Sequence, residues 1–355
     1  MKSMGEHHQE SESAAVRAAE ELVRTALPEF GLPSGIELKL LKRRENSVFA
    51  LNHESSDYVV RVHRQGYHSD EELGREIGFV RALAGRGVRV PQFIPASGDR
   101  SFVRVGHDHP SGEHQIDLQH YIPNLGNFGD ENTAFDGTAA LAREDFHELG
   151  ELIAQAHLAT VDSGFSVSES HPSWDADGLI GTDALWGFPL RVVELNDADR
   201  SADRRTLEAA ISVIRDRLGN YGHRADRYGP IHADLTPENV LRTENGLVLI
   251  DFDDFAAGWH LFDLATALYF FTHHPRRDEY QAALFSGYQR HRRLDAEDFA
   301  VFPAILVARG LTYLGWAADR RGEPAAEFHV HDVLPHLVGL ASALVESSEP
   351  EGVTL

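Results

Sequence analysis

Residues 231–254 read Ile-His-Ala-Asp-Leu-Thr-Pro-Glu-Asn-Val-Leu-Arg-Thr-Glu-Asn-Gly-Leu-Val-Leu-Ile-Asp-Phe-Asp-Asp. His232, Asp234 and Asn239 share one loop. A hairpin follows, and its second strand, Leu247 to Ile250, ends on Asp251. The first carboxylate can accept a proton, while the amide oxygen and the second carboxylate can reach a divalent metal. The order H-x-D-x-x-x-x-N, hairpin, Ile-Asp-Phe holds the parts of metal-assisted phosphoryl transfer. One carboxylate orients and deprotonates an acceptor hydroxyl, and oxygen ligands hold Mg²⁺ on the phosphates. A lone H-x-D pair would serve equally well in a turn or cap, but Asn239 and the returning Asp251 extend the pattern beyond that.

The elements that must position these residues follow from apolar spacing. A helix is predicted over 13–29, with Ala15, Ala19, Leu22 and Ala26 near helical spacing and Pro28 at its end. Strands follow at Ile36–Leu41, Ser47–Leu51 and Tyr58–Val62, then a helix at 70–84. Ser101–Val105 and Gln115–Ile122 read as a β-hairpin with its turn in 106–114. Composition shifts to Pro, Gly, Asn and Asp around 123–138, which marks a joint. Helices are expected beyond it at 144–160, 203–218, 261–271, 276–291, 296–319 and 328–346. This pattern predicts a disordered tail over 1–13, an N-terminal lobe over 14–122 and a C-terminal lobe over 123–348.

These motifs resemble the aminoglycoside/choline/homoserine phosphotransferase family, small-molecule kinases of protein-kinase-like fold. The resemblance covers roughly residues 36–320 and is specific at Ile231–Asn239, Leu249–Asp254 and Phe262-Asp263-Leu264-Ala265. Looser matches lie at Tyr58–Arg64, Arg75–Leu83, Leu149–His157 and Ala184-Leu185-Trp186-Gly187. It implies an α+β, two-lobe fold, with a small antiparallel-sheet N-lobe and a larger, mainly helical C-lobe. By the same resemblance Asp234 is the catalytic base, His232 braces its loop, Asn239 and Asp251 hold Mg²⁺, and Asp263 ties the loop to the next helix. The reaction implied is transfer of the γ-phosphate of ATP to a hydroxyl of a small molecule.

In such kinases a basic residue on the third strand grips the nucleotide phosphates and pairs with a glutamate on the next helix. Lysine occurs only at Lys2, Lys39 and Lys42, away from the strand Tyr58-Val59-Val60-Arg61. Arg61 is therefore the expected cation and Glu76 its partner; a guanidinium can donate to phosphate as a fork. The phosphate-covering loop falls at Arg43–Val48, which contains no glycine. Contact is expected from backbone N–H groups and from Asn46 and Ser47, although a simple hairpin turn fits the segment almost as well. Adenine is expected against Gln119–Ile122, with Gln119 and Tyr121 among its contacts.

Composition narrows the partners. Hydrophobic residues make up 42% and charged residues 25%, ordinary for a globular protein. No apolar run is expected to reach the ~20 residues that span a bilayer, so no membrane partner is expected. The polar, acidic start lacks a secretory pattern, and cysteine is absent; both point to the cytoplasm. A net charge of −23 argues against a nucleic-acid partner and favours cationic small molecules.

Other features admit two readings. Asp253 and Asp254 either attract a cationic acceptor or begin a loop. Arg309, Tyr313 and Trp316 share a helix face that is equally a pocket wall or a packing stripe. Trp174 and Trp186 lie in an insertion, 162–200, that could cover an acceptor. His107, His109 and His114 are read as an exposed turn rather than a metal site, and His273-His274 as a helix end. Three other functions stand beside the small-molecule kinase. A Ser/Thr protein kinase of this fold would need an activation segment, which is not recognisable after Asp251. A silent nucleotide-binding regulator would usually have lost the base or a metal ligand, and a metal-dependent hydrolase would use His232 and Asp234 as ligands.

Overall fold

The structure, a computed structural model, describes residues 4–43, 46–106, 112–163, 172–194 and 200–348, and their side chains except at 4–12 and 162–163. The chain divides into two compact units, Met1–Leu125 and Gly126–Leu355.

The first unit begins with helix α1, Met4–Ala26. The tail expected to be disordered thus carries helical backbone from Met4. Extending an existing helix adds a hydrogen bond per residue without a second nucleation cost. Strands β1 (Lys39–Arg43), β2 (Ser47–His53) and β3 (Ser56–Val62) form an antiparallel meander, and helix α2 (Asp70–Gly85) follows. Ser69 begins α2 with a capping box: its hydroxyl accepts from Glu72 N–H, and Glu72 accepts from Ser69 N–H. Leu73, Glu76, Ile77, Val80 and Leu83 form the helix's buried stripe, which carries Glu76 inward with the apolar residues.

Strands β4 (Phe93–Ile94), β5 (Val103–Val105) and β6 (His114–His120) complete the sheet. β6 pairs antiparallel with β3, β4 and β5. The expected hairpin is therefore present, although most of its turn, with His107 and His109, lies outside the described residues. Leu22, Val23 and Ala26 of α1 join Phe49, Val60 and Ile116 of the sheet in one buried core. β1 is an exposed edge carrying Lys39 and Lys42, with its register interrupted at Leu41. Charge and a bulge are two common devices that keep an edge from recruiting further strands.

The second unit is mostly helical. Its first elements are β7 (Gly126–Asn127), α3 (Glu131–Phe135) and α4 (Arg143–Ser163). The described part of the expected insertion holds β8 (Ser173–Trp174), α5 (Ala176–Ile180) and α6 (Arg191–Glu194). After α7 (Ser201–Tyr221) come β9 (Tyr228–Ile231), β10 (Val240–Thr243), β11 (Gly246–Leu249) and β12 (Ala256–Trp259). The unit ends with α8 (His260–Tyr269), α9 (Arg277–Tyr288), α10 (Ala296–Asp319), α11 (Pro324–Phe328) and α12 (Leu334–Glu346). Two small sheets, β11-β10-β7 and β8-β12-β9, flank the loop that carries Asp234.

Two expectations change here. The last helix is broken by a π-helical turn at His329–Val333, where Leu334 N–H donates to His329 C=O. Pro335, which lacks an N–H and crowds the preceding turn, follows directly. The second change concerns length. Ala296–Asp319 and Pro324–Glu346 are both long and apolar enough to cross a membrane by length and composition, contrary to the expectation above. In the first, 78% of the most apolar stretch is buried inside the protein; in the second, 39% is.

Candidate active site

The second unit builds its chemistry around a strained loop. Strand β9 delivers His232, and the chain then passes Ala233 at φ +68° and a 3₁₀ turn, Pro237–Asn239, before entering β10. Positive φ is costly for alanine, which has no side-chain hydrogen bond to offset it. The conformation is held by Asp263 on α8. Its Oδ2 accepts from His232 N–H at 3.0 Å and its Oδ1 from Ala233 N–H at 2.8 Å. His157 Nε2 meets the same Oδ2 at 2.9 Å, and its Nδ1 contacts Tyr288 Oη at 3.0 Å. Burial holds the His157 imidazole below its ordinary pKa, so the ring is neutral in this network. The expected tie from Asp263 to the loop is made through two consecutive peptide groups.

His232 faces the other strand. Its Nε2 donates to Ile250 C=O at 2.9 Å, and its Nδ1 accepts from Asp234 N–H at 3.3 Å. Burial lowers its pKa, consistent with a neutral ring that donates at one nitrogen and accepts at the other. Both nitrogens are engaged within the protein, which removes His232 from the ligand role that a hydrolase would require. The β10–β11 register pairs Val240 with Leu249 through Thr243 with Gly246. Ile250 N–H then donates to Asn239 C=O at 3.0 Å. That register sets Asp251, at φ +65°, next in the chain to the residue opposite Asn239.

Asn239 Nδ2 donates to Asp234 C=O at 2.8 Å and to Asp234 Oδ2 at 2.9 Å. Because both partners are acceptors, the amide nitrogen must face Asp234, which leaves Asn239 Oδ1 as a possible metal ligand. Asn239 Oδ1 and Asp251 are hard oxygen donors of the kind Mg²⁺ takes. Among the described residues no group of three His, Cys, Asp or Glu forms a metal site. Two protein oxygens still suit Mg²⁺, which commonly takes its other ligands from phosphates and water.

The other oxygen of Asp234 brings in a residue whose helix face the sequence left open between pocket wall and packing stripe. Arg309 Nη2 donates to Asp234 Oδ1 at 2.6 Å and to Tyr313 Oη at 2.6 Å. The Arg309 side chain is 0% exposed, against 20% for Asp234. Its guanidinium lies over the rings of Tyr313 at 4.0 Å, Trp186 at 4.6 Å and Phe262 at 5.5 Å, within cation–π range. An arginine in the apolar run Phe302-Pro-Ala-Ile-Leu-Val-Ala-Arg309 was the available signal. Trp186 Nε1 donates to Asp254 Oδ1 and Trp174 Nε1 to Asp254 C=O, both at 2.9 Å. Burial first, then the charge of Asp234, raises the Asp254 carboxyl to about 8.

In the first unit Arg61 Nη2 meets Glu76 Oε1 at 2.9 Å, and Arg61 Nε meets Asp117 Oδ2 at 2.9 Å. Asp117, fully buried, also meets His63 Nε2 at 2.6 Å and accepts from Gln119 Nε2 at 3.1 Å. Burial opposes the charge on Asp117, but Arg61 and His63 outweigh it and hold the carboxyl below its ordinary range. Gln119 thus turns its side chain to Asp117, while its backbone lies between Val59 and Phe93 in the sheet. Tyr121 N–H donates to Asp57 C=O at 2.9 Å. Asn46 Oδ1 accepts from Arg64 N–H at 3.2 Å, and Ser47 pairs with Arg43 and Val62. Residues 44–45, between Arg43 and Asn46, lie outside the described residues. His114 Nδ1 contacts His63 C=O at 2.9 Å.

The profile of the family described as "Phosphotransferase enzyme family" matches residues 37–298. A homoserine kinase of Beijerinckia indica is 27% identical over 293 residues, covering 81% of each chain. The solved structure of a microcompartment-associated aminopropanol kinase is 27% identical, with TM-score 0.74 over 92% of this chain and 96% of that one. The amicoumacin kinase hAmiN, solved in complex with AMP-PNP, Ca²⁺ and Ami, is 17% identical, with TM-score 0.63 over 88% of each chain. The α+β architecture, with its antiparallel sheet and helical half, matches these kinase folds.

Proposed function

The chain belongs to the phosphotransferase enzyme family, and from that membership we infer an ATP- and Mg²⁺-dependent kinase that phosphorylates a hydroxyl of a small molecule. The observation that carries this reading is the geometry of Asp234. Both its carboxylate oxygens receive donors from the protein, Arg309 on one side and Asn239 on the other, which fixes the plane in which it can meet an acceptor. The site therefore prepays the orientation of the reacting carboxylate.

In this reading Asp234 accepts a hydrogen bond from the acceptor hydroxyl and receives its proton as that oxygen bonds to the γ-phosphorus, whose bond to the β,γ-bridging oxygen breaks to release ADP. Asn239 Oδ1 and Asp251 are the metal's protein ligands. His232 and Asp263 keep the loop in its strained form. Arg61, held by Glu76 and Asp117, donates to nucleotide phosphate. Asn46 and Ser47 are proposed to lie in the phosphate-covering segment, and Gln119 and Tyr121 beside the adenine. Mg²⁺, when bound, neutralises charge on the transferring phosphoryl group. The carboxylate of Asp253 favours an acceptor with a cationic group, whereas Asp254, its carboxyl raised to about 8, keeps its proton near neutral pH. The lobes proposed are 14–122 for nucleotide and 123–348 for catalysis and acceptor.

The test is ADP formation with MgATP against homoserine, aminopropanol, amicoumacin, choline and aminoglycosides, in the wild type and in Asp234→Asn. Asn at 234 keeps an oxygen for Arg309 while losing the base. MgATP affinity is expected to survive and turnover to fall ~10²–10⁴-fold. Absence of Mg²⁺-dependent ATP binding, or undiminished turnover in Asp234→Asn, would overturn the reading.

A further inference from the structure

The buried guanidinium of Arg309 is not a neutral packing choice. It sits inside an apolar helix, wholly withdrawn from water, where an ion needs a partner of opposite charge. That partner is Asp234, the candidate base, and the second hydrogen bond of the same Nη2 goes to Tyr313. Three rings, Trp186, Phe262 and Tyr313, close round the guanidinium. Each comes from a separate part of the second unit: the segment after α5, helix α8 and helix α10 itself. Arg309 Nε is buried without a hydrogen-bond partner among the described residues, so the group's orientation is decided by the rings and by Asp234 together.

We propose that Arg309 is a positioning residue for phosphoryl transfer: its caged guanidinium holds Asp234 Oδ1 in place, and Asp234 in turn neutralises Arg309. The inference rests on the kinase reading above. It adds a mutual dependence that an ordinary general base would not show. Removing a catalytic carboxylate often leaves a fold as stable as before or more so, since the site loses a strained or repelled group. Here removal strands a buried cation, so activity and stability are linked through one ion pair.

A double-mutant cycle tests this. Asp234→Ala is expected to lower the melting temperature by on the order of 5 °C. Asp234→Ala with Arg309→Met is expected to recover part of that loss, and Asp234→Asn, which keeps an acceptor for Arg309 but not the charge, to fall between wild type and Asp234→Ala. For turnover the variants are Arg309→Met and Arg309→Lys, assayed by ADP formation with MgATP and the best acceptor of the panel. Arg309→Met is expected to reduce kcat by roughly 10²-fold with KM for MgATP nearly unchanged. Arg309→Lys, which keeps the charge, should recover part of the rate. A folded Arg309→Met protein with wild-type kcat would overturn the proposal, as would melting shifts that simply add. Both results are distinct from failure of the kinase reading, in which the wild type itself neither binds MgATP nor forms ADP.

Discussion

At the scale of single residues, the two buried arginines show how far a side chain's role depends on partners distant in sequence. Arg61 bridges two carboxylates that water does not reach, Glu76 and Asp117. Arg61→Met withdraws the guanidinium from both, leaving Asp117 only His63 and Gln119 among the described residues, and breaking a buried pair in this way costs about 3–5 kcal/mol. Arg61→Lys should cost less but not restore the wild type, because an ammonium cannot present the two fork nitrogens that these carboxylates use. Urea unfolding of the two variants checks the order. The pairing of Arg61 with Glu76 was legible only through the family resemblance, which implies that a third-strand cation pairs with a glutamate on the next helix, here 15 residues on. Asp117 was not: it lies 56 residues from Arg61 and meets it only through the β3–β6 register. Arg309, 75 residues from Asp234, was visible as a member of a helix face, but nothing local identified its partner.

At the scale of elements, most long helices were read to within a few residues because their apolar stripes have a clear period. The exceptions are α1, which begins at Met4, nine residues before its expected start at 13, and the last helix, broken at His329–Val333. The expected 296–319 is α10 itself. Short strands such as β7, β8, β9 and β12 had no such signature, as two to four residues cannot establish an alternation. Helix-to-helix distance was equally hidden. A Cβ added at Gly287 on α9 would run into His147 C=O of α4, and one at Gly150 on α4 into Leu284 C=O of α9. Helix propensity alone favours Gly→Ala by about 1 kcal/mol. At Gly287 the clash is with backbone, which cannot rotate away, and overpacking of this kind costs about 1–3 kcal/mol. Gly287→Ala is therefore expected to lower the unfolding midpoint. Gly219→Ala on α7, where nothing lies within 4 Å of the added carbon, should raise it.

At the scale of the whole molecule, charge and proton uptake set the conditions under which the fold holds. His157, His232, His260 and His329 are buried, and burial lowers the pKa of each below the ordinary 6.5. As pH falls through 6.5 the unfolded chain takes up protons that the folded chain refuses. Stability present above that value is then lost on acidification, by up to about 1.4 kcal/mol per histidine per pH unit. Asp254 works the other way. Its folded value of about 8 exceeds its ordinary 3.8, so the folded chain keeps a proton that the unfolded chain releases, and stability declines as pH rises towards 8. His336, held down to about 4 by burial and by His273 and Arg277, adds to the four buried histidines. These five groups outweigh one below pH 6.5, and just above it Asp254 dominates. Urea midpoints measured against pH are expected to peak at about pH 6.5–7 and to fall more steeply on the acid side. Asp263 has a wider consequence still. Its two oxygens gather His232, Ala233 and His157, from positions 31, 30 and 106 residues away, and His157 extends the chain of contacts to Tyr288. The entropy of ordering the loop is thereby charged to folding as a whole, so that each catalytic cycle begins with a loop already in form.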